Sequence, residues 1–126
     1  MTKRFSTDAE IFREVMNRYR NIQAAGIASG RRALRDREFL ADVENVARHS
    51  LSPRQYEFWR LAYVWAVAPG TIRLKLGIVA ELDYRFEADR VANVFGRACK
   101  DIRPYPLWPL DDYFRPPSRR SACQTP

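Results

Sequence analysis

Few side chains in this chain carry chemistry of their own, and their spacing limits what they can do. His49 is the single histidine. It follows Arg48 at the end of a helical stretch, with no serine or cysteine placed to pair with it. It therefore reads as a helix-terminal surface residue and not as an acid–base catalyst. Cys99 and Cys123 are the only cysteines. One lies in a helical stretch and the other near a Pro/Ser-rich end, and they read as reduced thiols of a cytoplasmic protein. Two distant cysteines and one histidine do not make a zinc site. Asp111 and Asp112 form a carboxylate pair, but metal binding needs further oxygen ligands that the neighbouring residues do not supply. No glycine-rich phosphate loop is present. The expectation is a protein with no catalytic residue, no metal and no cofactor. Trp59, Trp65 and Trp108 have the faces to stack on single-stranded bases. Core packing is the reading for Trp65. Trp59 and Trp108 stay open between the core and an exposed role, which for Trp108 includes filling a groove on another chain.

What remains is positive charge. The 126 residues carry a formal net charge of +7, with a pI near 9.9. A small basic protein usually meets nucleic acid, a membrane surface or an acidic protein. Only three of the 22 cations are lysines. Arginine suits bidentate contacts to phosphates and bases, although a GC-rich coding sequence yields the same bias. The excess is spread along the chain: +3 over residues 1–50, +3 over 51–100 and +1 over 101–126. The opening Met-Thr-Lys-Arg-Phe-Ser lacks the apolar core of a signal peptide. The longest nearly apolar run, Trp59 to Pro69, is too short to span a bilayer. No membrane association is expected.

The elements that must position these cations are helices. Apolar residues make up 46% of the chain, enough for a core, while glycine is scarce. Ser6 or Thr7 caps a first helix; Thr7 has Glu10 at capping-box spacing, and Asp8 suits the positive end of the dipole. Ile11, Val15, Met16, Tyr19 and Ile22, with Gln23 at their edge, recur at steps of three and four, which makes one face apolar. Arg13, Arg18 and Arg20 fall on the opposite face and read as solvated. Gly26 and the run to Gly30 close the helix. Arg31, Arg32, Arg35 and Arg37 read as an exposed linker or a phosphate-touching loop. A second helix is expected from about Asp36 to Arg48, with Phe39, Leu40, Val43, Val46 and Ala47 inward. Ser52, Pro53 and Gln55 then start a third on a cap, an initiating proline and a second capping box. It should run to about Val67 as the central core helix. Pro69 opens a short fourth helix to Leu76. Gly77 breaks the chain, Ile78 anchors it, and a fifth helix runs from about Ala80 to Asp101. Its stripe is Tyr84, Ala88, Val91, Phe95 and Ala98. Beyond Ile102, prolines favour extended backbone. The aromatics among them pack back on the helices or dock on a partner. Residues from Arg115 onward read as disordered.

A short helix, a glycine turn and a longer helix make a helix-turn-helix pattern. Glycine permits the left-handed turn. Ile72, Leu76 and Ile78 fix the angle between the helices by burying themselves. The preceding residues extend the pattern. Leu51, Arg54, Glu57, Phe58, Trp59, Leu61 and Tyr63, followed by Ile72, Leu76, Gly77 and Ile78, resemble region 4 of bacterial sigma factors without a gap over about 28 residues. The strip Pro-Tyr-Pro-Leu-Trp-Pro-Leu-Asp at 104–111 is similar to the ends of some uncharacterised sigma-factor-like proteins.

The resemblance implies a stand-alone regulator whose second corner helix reads DNA. By position, base contacts fall to Val79, Ala80, Glu81, Leu82, Tyr84, Arg85 and Phe86, and phosphate contacts to Arg73 and Lys75. A patch of Arg73, Lys75, Arg85 and Arg90 is expected, helped by Arg31 and Arg32. The chain departs from the family where it has Val79 in place of a small polar residue and Asp83 in place of an apolar one. Glu81, Asp83, Glu87 and Asp89 also put four carboxylates on the reading helix, and these repel phosphate.

The expected architecture is all-α. It is a bundle of about five helices: an N-terminal helix and basic linker over 1–35, a helical domain over 36–102 with the helix-turn-helix at 69–101, an extended Pro/aromatic strip at 103–114 and a tail at 115–126. The expected function is a DNA-binding transcriptional regulator on double-stranded DNA. The alternative is a module docking on RNA polymerase or another regulator through the corner and the C-terminal strip. The first helix serves either to pair two copies into a homodimer or to cap the core.

Overall fold

Both capping boxes form and fix where the chain turns into helix. In the computed structural model, which describes residues 7–26, 31–101 and 106–114 (only the backbone at 31–33 and 112), α1 spans Asp8–Ala25. The Glu10 amide donates to Thr7 Oγ1 at 3.2 Å, and the Thr7 amide donates to Glu10 Oε1 at 2.9 Å. α3 starts the same way at Pro53, through Ser52 and Gln55. Each box satisfies amides that a helix start leaves without partners.

The described residues form a small all-α bundle with no strand. α2 runs Arg31–Ser50, so the arginine stretch expected as a linker is the first two turns of a helix. The correction has a simple cause. None of Arg31, Arg32, Ala33, Leu34, Arg35 and Arg37 breaks a helix, and arginine, leucine and alanine are among its best formers. α3, Pro53–Trp59, passes into a wide π turn over Arg60–Val64. The Trp65 amide then donates to the Arg60 carbonyl, five residues back, at 2.9 Å. Ala66 follows with φ 54°, a left-handed conformation that is costly for alanine. The expected helix to Val67 therefore ends early, and Trp65 swings outward. It is 56% exposed, with the Arg60 guanidinium 4.6 Å from its ring centre. Trp59 and Trp108 are the buried tryptophans, which reverses the expectation for Trp65.

α4 spans Pro69–Leu76, α5 spans Glu81–Ala98, and a single turn, α6, spans Leu110–Tyr113. The core gathers α1, α2, α3 and α5. Trp59 stacks on Phe95 with ring centres 5.9 Å apart and donates its indole N–H to Met16 Sδ at 3.4 Å. Phe12 meets Phe95 edge-on at 5.2 Å and Tyr63 at 4.9 Å. α1 runs along α5 so closely that a Cβ on Gly96 would overlap the Asp8 carbonyl. With Ile11, Phe12, Val15, Met16, Tyr19 and Ile22 all buried, capping the core is the role that α1's apolar face performs.

The aromatic strip also enters the core. Leu107, Trp108 and Tyr113 are buried. Tyr113 packs on Phe39 with ring centres 5.4 Å apart and donates its hydroxyl to Asp42 of α2. The Arg18 guanidinium lies 4.1 Å from the centre of the Phe114 ring, so that arginine, expected to be solvated, covers an aromatic face. The expected closure at residues 27–30, residues 102–105 of the strip and the tail from Arg115 lie outside the described residues.

Candidate nucleic-acid interface

The corner at Gly77 is built from three apolar anchors and one left-handed residue. Ile72 and Ile78 are buried and Leu76 is half-buried. Gly77 sits at φ 70°, ψ 29°, and its amide closes the end of α4 on the Arg73 carbonyl. The Ile78 amide reaches the same carbonyl at 2.9 Å. A sharp stop of this kind needs a residue without a Cβ penalty at positive φ.

Arg73 has a different task from the one its position implies. Its Nε donates to the Ile78 carbonyl at 3.3 Å, and its Nη2 donates to the Val79 carbonyl. It clasps the turn across the corner. Lys75 is exposed, and among the described residues it makes no ion pair.

Beyond the corner, one face of the first half of α5 stands in solvent. Ala80 caps it without a side-chain bond. Glu81, Leu82, Asp83, Arg85, Phe86, Asp89 and Arg90 are exposed. Arg85 pairs with Glu81 at 3.4 Å. Tyr84 turns inward, its ring centre 5.1 Å from that of Phe58, and desolvation holds its phenol above the usual tyrosine value. Of the residues expected to read bases, Ala80, Glu81, Leu82 and Arg85 therefore face water, whereas Tyr84 serves the packing. Of the expected cationic patch, Lys75 and Arg90 are unpaired among the described residues, Arg85 is shared with Glu81, and Arg73 belongs to the turn. The side chains of Arg31 and Arg32 lie outside the described residues.

Two features escaped the sequence reading. Leu74, Val79, Leu82 and Phe86 are large apolar residues left between 55% and 86% exposed around the corner. Alongside α5 runs a groove of about 280 Å³, walled by Arg13, Asn17 and Arg20 of α1 and by Asp89 of α5. The signal for the groove was the 13/17/20 spacing, but only the pairing of α1 with α5 puts that stripe beside the corner helix.

The other candidates for chemistry stand apart. His49 is exposed at the end of α2, its Nδ1 2.8 Å from the Asn45 carbonyl oxygen. Cys99 is a fully buried free thiol, and desolvation raises its pKa far above the usual range. Such a thiol is not poised as a nucleophile. Asp111 is exposed, and the Asp112 side chain and Cys123 lie outside the described residues. Among the described residues no three of His, Cys, Asp and Glu gather to hold a metal ion, and no helix is long and apolar enough to cross a membrane. No protein-family model matches the chain, and neither a curated protein nor a solved structure matches it significantly.

Proposed function

We propose that this chain is a DNA-binding transcriptional regulator, acting in the cytoplasm, whose α4–Gly77–α5 corner works as a helix-turn-helix of the sigma region 4 kind. The observation that carries the reading is the presentation of α5. Its second half is locked in the core through Val91 and Phe95, while its first half projects past the clasped corner with Leu82, Arg85 and Phe86 exposed. A rigid helix whose N-terminal half exposes one face fits the major groove, roughly 12 Å wide. Arg85 and Arg90 suit guanine edges, Glu81 suits the amino group of cytosine, and Leu82 and Phe86 suit thymine methyl groups. Lys75 supplies a phosphate contact. The pairing of Glu81 with Arg85 reduces the repulsion that four carboxylates would otherwise exert.

A second reading rests on the exposed apolar set. Leu74, Val79, Leu82 and Phe86 surround a corner in which, over residues 69–90, cations and carboxylates are equal in number. That surface also suits a protein partner, RNA polymerase or another regulator. Leu107, Trp108 and Tyr113 of the C-terminal strip are buried, so the corner carries this reading.

One experiment separates the readings. Mobility shift on the duplex upstream of the chain's own coding sequence should give a complex at 50 mM salt that weakens steeply by 200 mM, because each phosphate contact releases counterions. Arg90→Ala should weaken it by about 1–3 kcal/mol on the preferred sequence. Folded protein that shifts no duplex at 50 mM salt rules the DNA reading out. The protein reading is then carried by co-sedimentation with purified RNA polymerase that is lost in Leu82→Ser/Phe86→Ser.

A further inference from the structure

The three arginines of α1 do not share one fate. Arg18 is spent on the Phe114 ring. Arg13 and Arg20 are exposed, and neither pairs with a carboxylate among the described residues. With Asn17 they sit at i, i+4 and i+7, one above another on a single helix face. That face forms one wall of the groove beside α5. Ala88, Ala92 and Asp89 of α5 form the other, and Phe12 and Tyr63 lie at the floor. α1 and α5 are held rigidly side by side, as the Phe12–Phe95 contact and the close approach at Gly96 require. The spacing between the stripe and the corner helix is therefore fixed before any partner arrives.

We infer that Arg13, Asn17 and Arg20 form a phosphate-contacting strip that grips the DNA backbone flanking the groove entered by α5. This assignment rests on the DNA-binding reading above. The geometry favours one strand of a duplex. Seven residues of helix rise about 10 Å, which matches the axial rise of about three nucleotides on one strand at roughly 3.4 Å each. Two arginine forks at the ends then meet phosphates about three nucleotides apart on that strand, with an amide donor available to one between them. The strip also answers the charge problem at the corner. The carboxylates of α5 need positive charge on a neighbouring element, and α1 is the element packed along it. Contacts of this class set register and carry no sequence information.

The test uses fluorescence anisotropy of the full chain on a labelled duplex from 50 to 200 mM salt. Arg13→Ala/Arg20→Ala should lower the slope of log affinity against log salt by about 2, at 0.9 per lost phosphate contact. It should weaken specific and scrambled duplexes by the same factor. Arg13→Lys/Arg20→Lys should keep the slope, and Arg48→Ala/Arg54→Ala, which removes two exposed cations elsewhere, should leave it unchanged. Both arginines of the strip are surface residues, and an unchanged melting curve certifies the fold of each variant. Wild-type binding with an unaltered slope in Arg13→Ala/Arg20→Ala overturns the strip and leaves the DNA reading standing. Absence of wild-type binding at 50 mM salt overturns both. A variant that keeps the duplex but loses poly-glutamate assigns the strip to an acidic protein and overturns its role on DNA.

Discussion

At the scale of single residues, two glycines show how differently the same substitution is felt. Gly77 has open space around the position of a Cβ, but its φ of 70° is unfavourable for any L side chain. Gly77→Ala should cost about 1 kcal/mol by urea denaturation, and the corner should survive. Gly96 has ordinary helical geometry, and its restraint is the Asp8 backbone of α1. A backbone carbonyl cannot rotate away, so Gly96→Ala should cost about 3 kcal/mol despite alanine's better helix propensity. Equal losses for the two variants would contradict this division. Gly77 was legible from the sequence because it interrupts an apolar pattern. Gly96 was not, because its reason lies on another helix. Titration makes a further residue-scale case. Burial raises the phenols of Tyr19, Tyr63, Tyr84 and Tyr113 above their usual value of 10.0, and the Asp42 carboxylate that accepts the Tyr113 hydroxyl adds to the effect there. The unfolded chain then loses protons at about pH 10 while the folded chain keeps them. Stability from these groups is fully present below pH 10 and falls above it. Denaturant midpoints at pH 8 and pH 10.5 should show the drop, and Tyr113→Phe should make it shallower. A Tyr113→Phe drop as steep as that of the wild type would free Tyr113 of this role.

Among the elements, helix starts marked by a capping box were read more faithfully than helix interiors. Thr7 with Glu10, and Ser52 with Pro53 and Gln55, are local signals in which three or four residues satisfy one another whatever the rest of the chain does. The end of α3 is not local. The π turn at Arg60–Val64 shifts the helical register, and periodicity counted through it assigns Trp65 to the inside when it lies outside. The start of α2 was hidden for the opposite reason. Its first turns are too polar to show an apolar stripe, yet nothing in them resists helix. The corner itself was legible down to its anchors Ile72, Leu76 and Ile78. The role of Arg73 was not, since its hydrogen bonds run to carbonyls that become available only once the turn has formed.

The whole molecule depends on pieces far apart in the chain. α2 is tied to the strip through Tyr113 and Asp42, 71 residues apart. Removal of residues 107–126 should abolish cooperative thermal unfolding by circular dichroism, because Phe39 and its neighbours lose the side chains that cover them. A truncated chain that melts at the full-length midpoint would show the strip to be dispensable. The pairing of α1 with α5 has a consequence for the order of synthesis. α1 leaves the ribosome before α5, and the helix that shelters Ile11, Phe12, Val15 and Met16 is translated some eighty residues later, about 4–16 s at 5–20 residues per second. Throughout that interval the nascent α1 offers an oily stripe flanked by arginines, the kind of segment that holding chaperones bind.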